Sequence, residues 1–157
     1  MSTSSRRSRV LIVSDHPDRL EQTHQALLHS FPHLHTATTS CGRLLTAEQA
    51  PPPPEMRGFT PPNLVLLDFS NQAMASTPSA TSILEKIRGL PAMRHIPILV
   101  LHPNPLPTDI HTSYQLGANA LIPRPIHFNS LVNTLRIMGE YWLETVILPK
   151  AAGRGAV

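Results

Sequence analysis

A small set of side chains in this sequence is suited to chemistry on an anion. Ser14 and Asp15 follow one apolar run, Asp68 closes another, His102 follows a third and Arg124 a fourth. Two carboxylates brought side by side can hold a hard divalent cation such as Mg²⁺. A carboxylate is also a nucleophile towards phosphorus, and a neighbouring cation stabilises the charge that the transfer produces. One aspartate after a strand is ordinarily only a turn or a helix cap. The joint placement of these residues at the ends of different apolar runs is what gives them weight.

The elements that must position them are short and alternate in type. Residues 9–14 (RVLIVS), 63–68 (NLVLLD) and 96–101 (IPILVL) are apolar almost throughout, as strands buried on both faces must be. Residues 33–38 (HLHTAT) read as an edge strand and residues 118–122 as a short fifth strand. Between them, Pro17 suits the first turn of a helix, and Leu20, Leu27, Leu28 and Phe31 continue it at helical spacing. Further helices are predicted over 42–50, over 80–90 with Ile83, Leu84 and Ile87 on one face, and over 108–116, where Gly117 supplies the C-terminal cap. Phe128, Leu131, Val132, Leu135, Met138 and Trp142 mark a long amphipathic last helix. Such alternation implies an α/β fold, a parallel sheet doubly wound with helices on both faces. Ligands on these sheets bind beyond the C-terminal ends of the strands.

Composition bounds the rest. A chain of 157 residues fits one domain. No stretch approaches a membrane span. The net charge of +3 is too small for a nucleic-acid signature, and three arginines, Arg6, Arg7 and Arg9, lie in the first nine residues. Cys41 is alone, which excludes an internal disulfide and a CxxC metal site. His24, His29, His33 and His35 are close in sequence, yet no cysteine or acid completes a zinc site with them. Charged residues make up only 15%, and there are 17 prolines, six of them in the loop before the third strand. PPPPEMRGFTPP, within residues 51–62, favours a stiff polyproline surface loop over a ligand for a proline-binding partner. Residues 1–8 and 150–157 read as disordered tails flanking one domain over 9–149.

Several segments, RVLIVSDHPDRLEQTHQAL, PPNLVLLDF, LEKIRGLPAMRHIPILVL, YQLGANALIPRPIHFNSLV and GEYWLETVILP, span nearly the whole ordered chain. In them the sequence resembles a response-regulator receiver domain, and more narrowly the small single-domain regulators that partner phytochrome-type sensor histidine kinases. The resemblance implies a CheY-like, flavodoxin-like sheet with strand order 2-1-3-4-5. It makes Asp68 the phosphoacceptor, with Asp15, Asp68 and the backbone carbonyl of Ser70 around Mg²⁺. His102 stands at the switch Thr/Ser position, Leu121 at the switch aromatic, and Arg124 at the lysine, followed by Pro125 across a peptide bond that is usually cis in the family. It further implies a cytoplasmic, non-enzymatic signalling protein that takes its phosphoryl group from a sensor histidine kinase. Output would be protein–protein contact rather than binding to nucleic acid or membrane. A homodimer would form through the last helix and the C-terminal extension, with Ile137, Tyr141 and Trp142 at the interface.

The departures from the family pattern sit at the chemistry. Ser14 replaces the first acid of the pair. His102 replaces a small hydroxyl. Arg124 keeps the charge of lysine but not its compact ammonium. The loop after Asp68, FSNQAMASTPSA, lacks the usual acid. Two functions therefore stay open: a phosphotransfer receiver, and a phosphorylation-independent pseudo-receiver acting as a binding or dimerisation module. A small-molecule enzyme on the same sheet has no substrate pocket marked in the sequence.

Overall fold

The computed structural model describes residues 8–41, 62–69 and 78–149. The helix expected over 42–50, most of the proline-rich loop, Ser70 and the outermost tail residues lie outside the described residues. The five strands are β1 (Arg9–Ser14), β2 (His35–Ser40), β3 (Leu64–Asp68), β4 (Ile98–His102) and β5 (Ala120–Pro123). They pair in parallel in the order β2-β1-β3-β4-β5, as the resemblance implies. The described helices are α1 (Pro17–Ser30), α2 (Pro78–Gly89), α3 (Pro107–Gln115) and α4 (Phe128–Gly139). Among the described residues no helix is long and apolar enough to cross a membrane.

The continuous apolar runs fill the sheet centre because both faces are covered. Alternate residues point to opposite faces. Leu11, Val13, Val65 and Leu67 pack with Ile83, Leu84 and Ile87 of α2. Val10, Ile12, Leu64 and Leu66 pack with Leu27 of α1 and Leu131, Leu135 and Met138 of α4. β2 is the polar edge, burying only Ala37 and Thr39.

Several boundaries move from their expected places, each for a local reason. β2 starts two residues later than expected because Leu34 N–H bonds to Phe31 O, at 3.1 Å, and closes a turn after α1. β4 starts late because Ile96 N–H bonds to Met93 O, at 3.2 Å, past the short 3₁₀ turn Pro91–Met93. The last helix leaves α geometry at Gly139 and continues as a π-helical segment, Glu140–Thr145, so Trp142 lies on wider turns than its spacing predicts. Gly117 has φ +101°, the left-handed cap expected after α3. Its carbonyl accepts from Nε and Nη2 of Arg88, at 3.0 and 2.6 Å. At the same end of the sheet, where β1 and β3 begin, Asn63 accepts from Arg9 N–H, at 2.9 Å, and donates to Pro149 O, at 3.0 Å, fastening the C-terminal extension.

Gly139 is where α4 meets α1. A Cβ there would overlap the ring of Phe31. Gly139→Ala is expected to lower the unfolding free energy by about 1–3 kcal/mol through overpacking. Phe31→Leu in the same background should restore part of the loss. Urea midpoints of the three proteins check this.

Candidate functional site

The C-terminal ends of the parallel strands bring the chemically suited residues into one region. Asp68 closes β3 level with Ser14 of β1, and His102 closes β4 level with Pro123 of β5. Asp68 is fully buried. Its Oδ2 accepts the hydroxyl of Thr23, a buried residue of α1, at 2.6 Å. Arg124 lies one residue past β5 and is anchored by its own N–H to His102 O, at 2.8 Å. Its Nε comes within 3.1 Å of Asp68 Oδ1. That approach is off the hydrogen-bonding direction, so charge rather than a shared proton holds it. Nη2 of Arg124 reaches Gln22 Oε1 and Thr23 Oγ1, both at 3.4 Å.

These surroundings set the ionisation of Asp68. Burial pushes its carboxyl above the ordinary value, because desolvation disfavours the charged form. The Thr23 hydroxyl, Arg124 and Arg19 pull it back down, and Asp15 adds to the rise. Burial wins.

His102 is buried too. Its Nδ1 accepts the N–H of Asn104, at 3.3 Å, which assigns the proton of a neutral ring to Nε2, and Nε2 has no partner among the described residues. Burial pushes its pKa down, while Asp109 and Asp15 push it up. Cys41, just past β2, is buried, and its thiol is pushed up to about 12, by burial first and then by Asp15. It is therefore a packing residue rather than a nucleophile.

The Mg²⁺ set implied by the resemblance meets this geometry unevenly. Ser14 Oγ is turned to its own turn, donating to His16 O at 3.1 Å and accepting from His16 N–H at 3.2 Å. Asp15 is half-buried beside it. Both oxygens of Asp68 are already engaged, one by a hydroxyl and one by a guanidinium. Among the described residues no three His, Cys, Asp or Glu side chains come together as a metal site.

Other expectations meet mixed outcomes. The Arg124–Pro125 peptide bond is trans, not cis, the isomer that even X–Pro bonds favour by about 0.5–1 kcal/mol. His24, of the histidine group considered for zinc, is half-buried, and its Nε2 lies 2.8 Å from Thr36 Oγ1. His111 is exposed and Leu121 half-buried. Ile137 and Tyr141 are exposed on α4 and the turn after it, while Trp142 is half-buried against the core with its ring edge-on to Tyr141. Sequence reasoning missed Thr23. Its signal was a hydroxyl at the i+3 position from Leu20, on the stripe that continues to Leu27 and must face the sheet.

A parallel sheet in this order, with a buried aspartate closing its middle strand, is the fold of the CheY-like response-regulator receiver domains. The proteins to which the chain is similar include response regulators. The chain is similar to response regulator Rcp1 of Synechocystis sp., with 30% identity over 90 residues, 57% of this chain and 58% of that one. It superposes on the phosphorylated cyanobacterial phytochrome response regulator RcpA with a TM-score of 0.74 at 24% identity, covering 91% of this chain and 99% of RcpA. A Mn²⁺-bound crystal structure of Rcp1 gives a TM-score of 0.67 at 21% identity, covering 91% and 99%. The matched segments span just over half the length of the curated relatives. No family model matches the chain.

Proposed function

We propose that this chain is a receiver in two-component signal transduction, with Asp68 as its phosphoacceptor. The observation that carries the reading is the Asp68–Arg124 pair at the C-terminal sheet end, 3.1 Å apart and closed from solvent. A carboxylate oxygen of Asp68 attacks the phosphorus of a kinase phosphohistidine. The P–O bond forms, the P–N bond breaks, and the imidazole nitrogen leaves with the bonding electrons and takes up a proton. Arg124 then meets the charge of the transferred group. The phosphorylated state of RcpA supports this reading, as does the likeness to phytochrome response regulators for a phytochrome-type kinase as donor. Mg²⁺ belongs to the same proposal, supported by the Mn²⁺-bound state of Rcp1. Asp15 and Asp68 are the side chains it would use, with the Ser70 carbonyl outside the described residues, and Asp68 would first have to give up Thr23 or Arg124. Incubation of the full chain with Mg²⁺ and an acyl phosphate donor, followed by intact mass, should show one added phosphoryl group that Asp68→Asn abolishes.

The burial of Asp68, with both oxygens engaged, favours a second reading, a pseudo-receiver that binds partners without phosphorylation. Absence of the adduct with both the acyl phosphate and the cognate kinase would select it.

We assign a homodimer interface to the exposed Ile137 and Tyr141, with Trp142 behind them. Aromatic and aliphatic groups of this kind mark interfaces. Light scattering should give a dimer mass for the wild type and a monomer mass for Tyr141→Arg. A wild type at monomer mass contradicts the assignment.

A further inference from the structure

A cavity of about 250 Å³ opens beside the Asp68–Arg124 pair, between α1 and the turn after β5, lined by Arg19, Gln22, Pro103, Arg124, Pro125 and Ile126. Two of its six lining residues are arginines, one carries an amide, and the other three are apolar. Among the described residues, Nη1 of Arg19 is buried with no hydrogen-bond partner. Arg124 is 6% exposed, its Nε is held by charge alone, and its Nη2 makes only two long contacts of 3.4 Å. Buried donors are nearly always satisfied, and an exception calls for a water or an ion. Two underused guanidiniums at one cavity call for an anion, since planar guanidinium forks match phosphate oxygens. The volume sets the size of the ligand. With about 30 Å³ per water in the liquid, the cavity takes a tetrahedral anion and a few waters. It falls short of the roughly 300 Å³ at which pockets for larger ligands begin.

We propose that this cavity is a binding site for a small phosphate-class dianion, held by Arg19, Gln22 and Arg124 without a divalent cation. The site lies on the α1 side of Asp68 and does not require Asp68 to be phosphorylated, so it stands or falls separately from the phosphoacceptor reading. The anion competes with Asp68 for Arg124 and thereby reports on the same pair from the other side.

The test is an NMR titration of the full chain with inorganic phosphate in the presence of EDTA, following the Nε–H resonances of Arg19 and Arg124. Saturable shifts at both, weakened about tenfold or more in Arg19→Gln and unchanged in Arg136→Gln, are expected. Arg136 pairs with Glu140 on the exposed face of α4 and serves as the control. Sodium chloride at equal ionic strength should leave the two resonances in place, a comparison that holds even if a variant folds poorly. The same shifts with chloride, shifts that need added Mg²⁺, or equal affinity in Arg19→Gln would each overturn the proposal.

Discussion

Arg124→Met is expected to destabilise the protein by about 3–5 kcal/mol, the cost of leaving a buried charge without its partner. Asp68 is fully buried and Arg124 nearly so, so solvent cannot take over the lost interaction. Thr23 still donates to Oδ2, but one hydroxyl does not neutralise a carboxylate. Asp68 then escapes by binding a proton, which burial already favours, so the loss should be largest well above the carboxylate range. The double variant Asp68→Asn/Arg124→Met should recover much of it, because replacing both members of a buried pair removes the desolvation penalty along with the attraction. Urea unfolding at neutral pH decides the matter: the midpoint should fall in the single variant and return in the double, at constant m-value. A single variant as stable as the wild type would mean that the pair is not closed from water.

The second large effect is on the pH dependence of stability. The folded-state pKa of Asp68 is raised above its ordinary value of 3.8. Between the two values the folded protein holds a proton that the unfolded chain has released. The contribution of this group is therefore fully present below 3.8 and is lost as pH rises through the folded value. For one proton the slope is at most about 1.4 kcal/mol per pH unit. His102 tilts the other way. Its folded pKa lies below 6.5, so its contribution is present above 6.5 and is lost as pH falls through the lowered value. The two slopes have opposite signs. The difference between Asp68→Asn and wild type isolates the aspartate: the variant should gain relative stability as pH rises from 3.8 across the window. A difference that is flat with pH would mean that Asp68 titrates alike in both states.

Much of this arrangement is legible in the sequence because it depends on local signals. The unbroken apolar runs of β1, β3 and β4 mark buried parallel strands, and Asp68 and His102 mark where two of them end. Pro17 and Gly117 fix helix ends through backbone geometry alone. What escaped depends on packing at a distance. Thr23 meets Asp68 from 45 positions away; its place on the apolar stripe of α1 turns it inward but does not name the strand end it meets. The cavity is formed by α1 together with the turns after β4 and β5, so no single segment encodes it. The π-helical turn after α4 is likewise not announced by residue types.

The account turns on Asp68 as the atom donor to phosphorus, and reductive trapping tests this most directly. An acyl phosphate is reduced by borohydride to the alcohol, which converts the modified aspartate to homoserine. After exposure to an acyl phosphate donor and borohydride, peptide mapping of the full chain should place homoserine at position 68 and leave Asp15 unchanged. Homoserine at Asp15, or none anywhere in the chain after exposure to both the small donor and the cognate kinase, would contradict it.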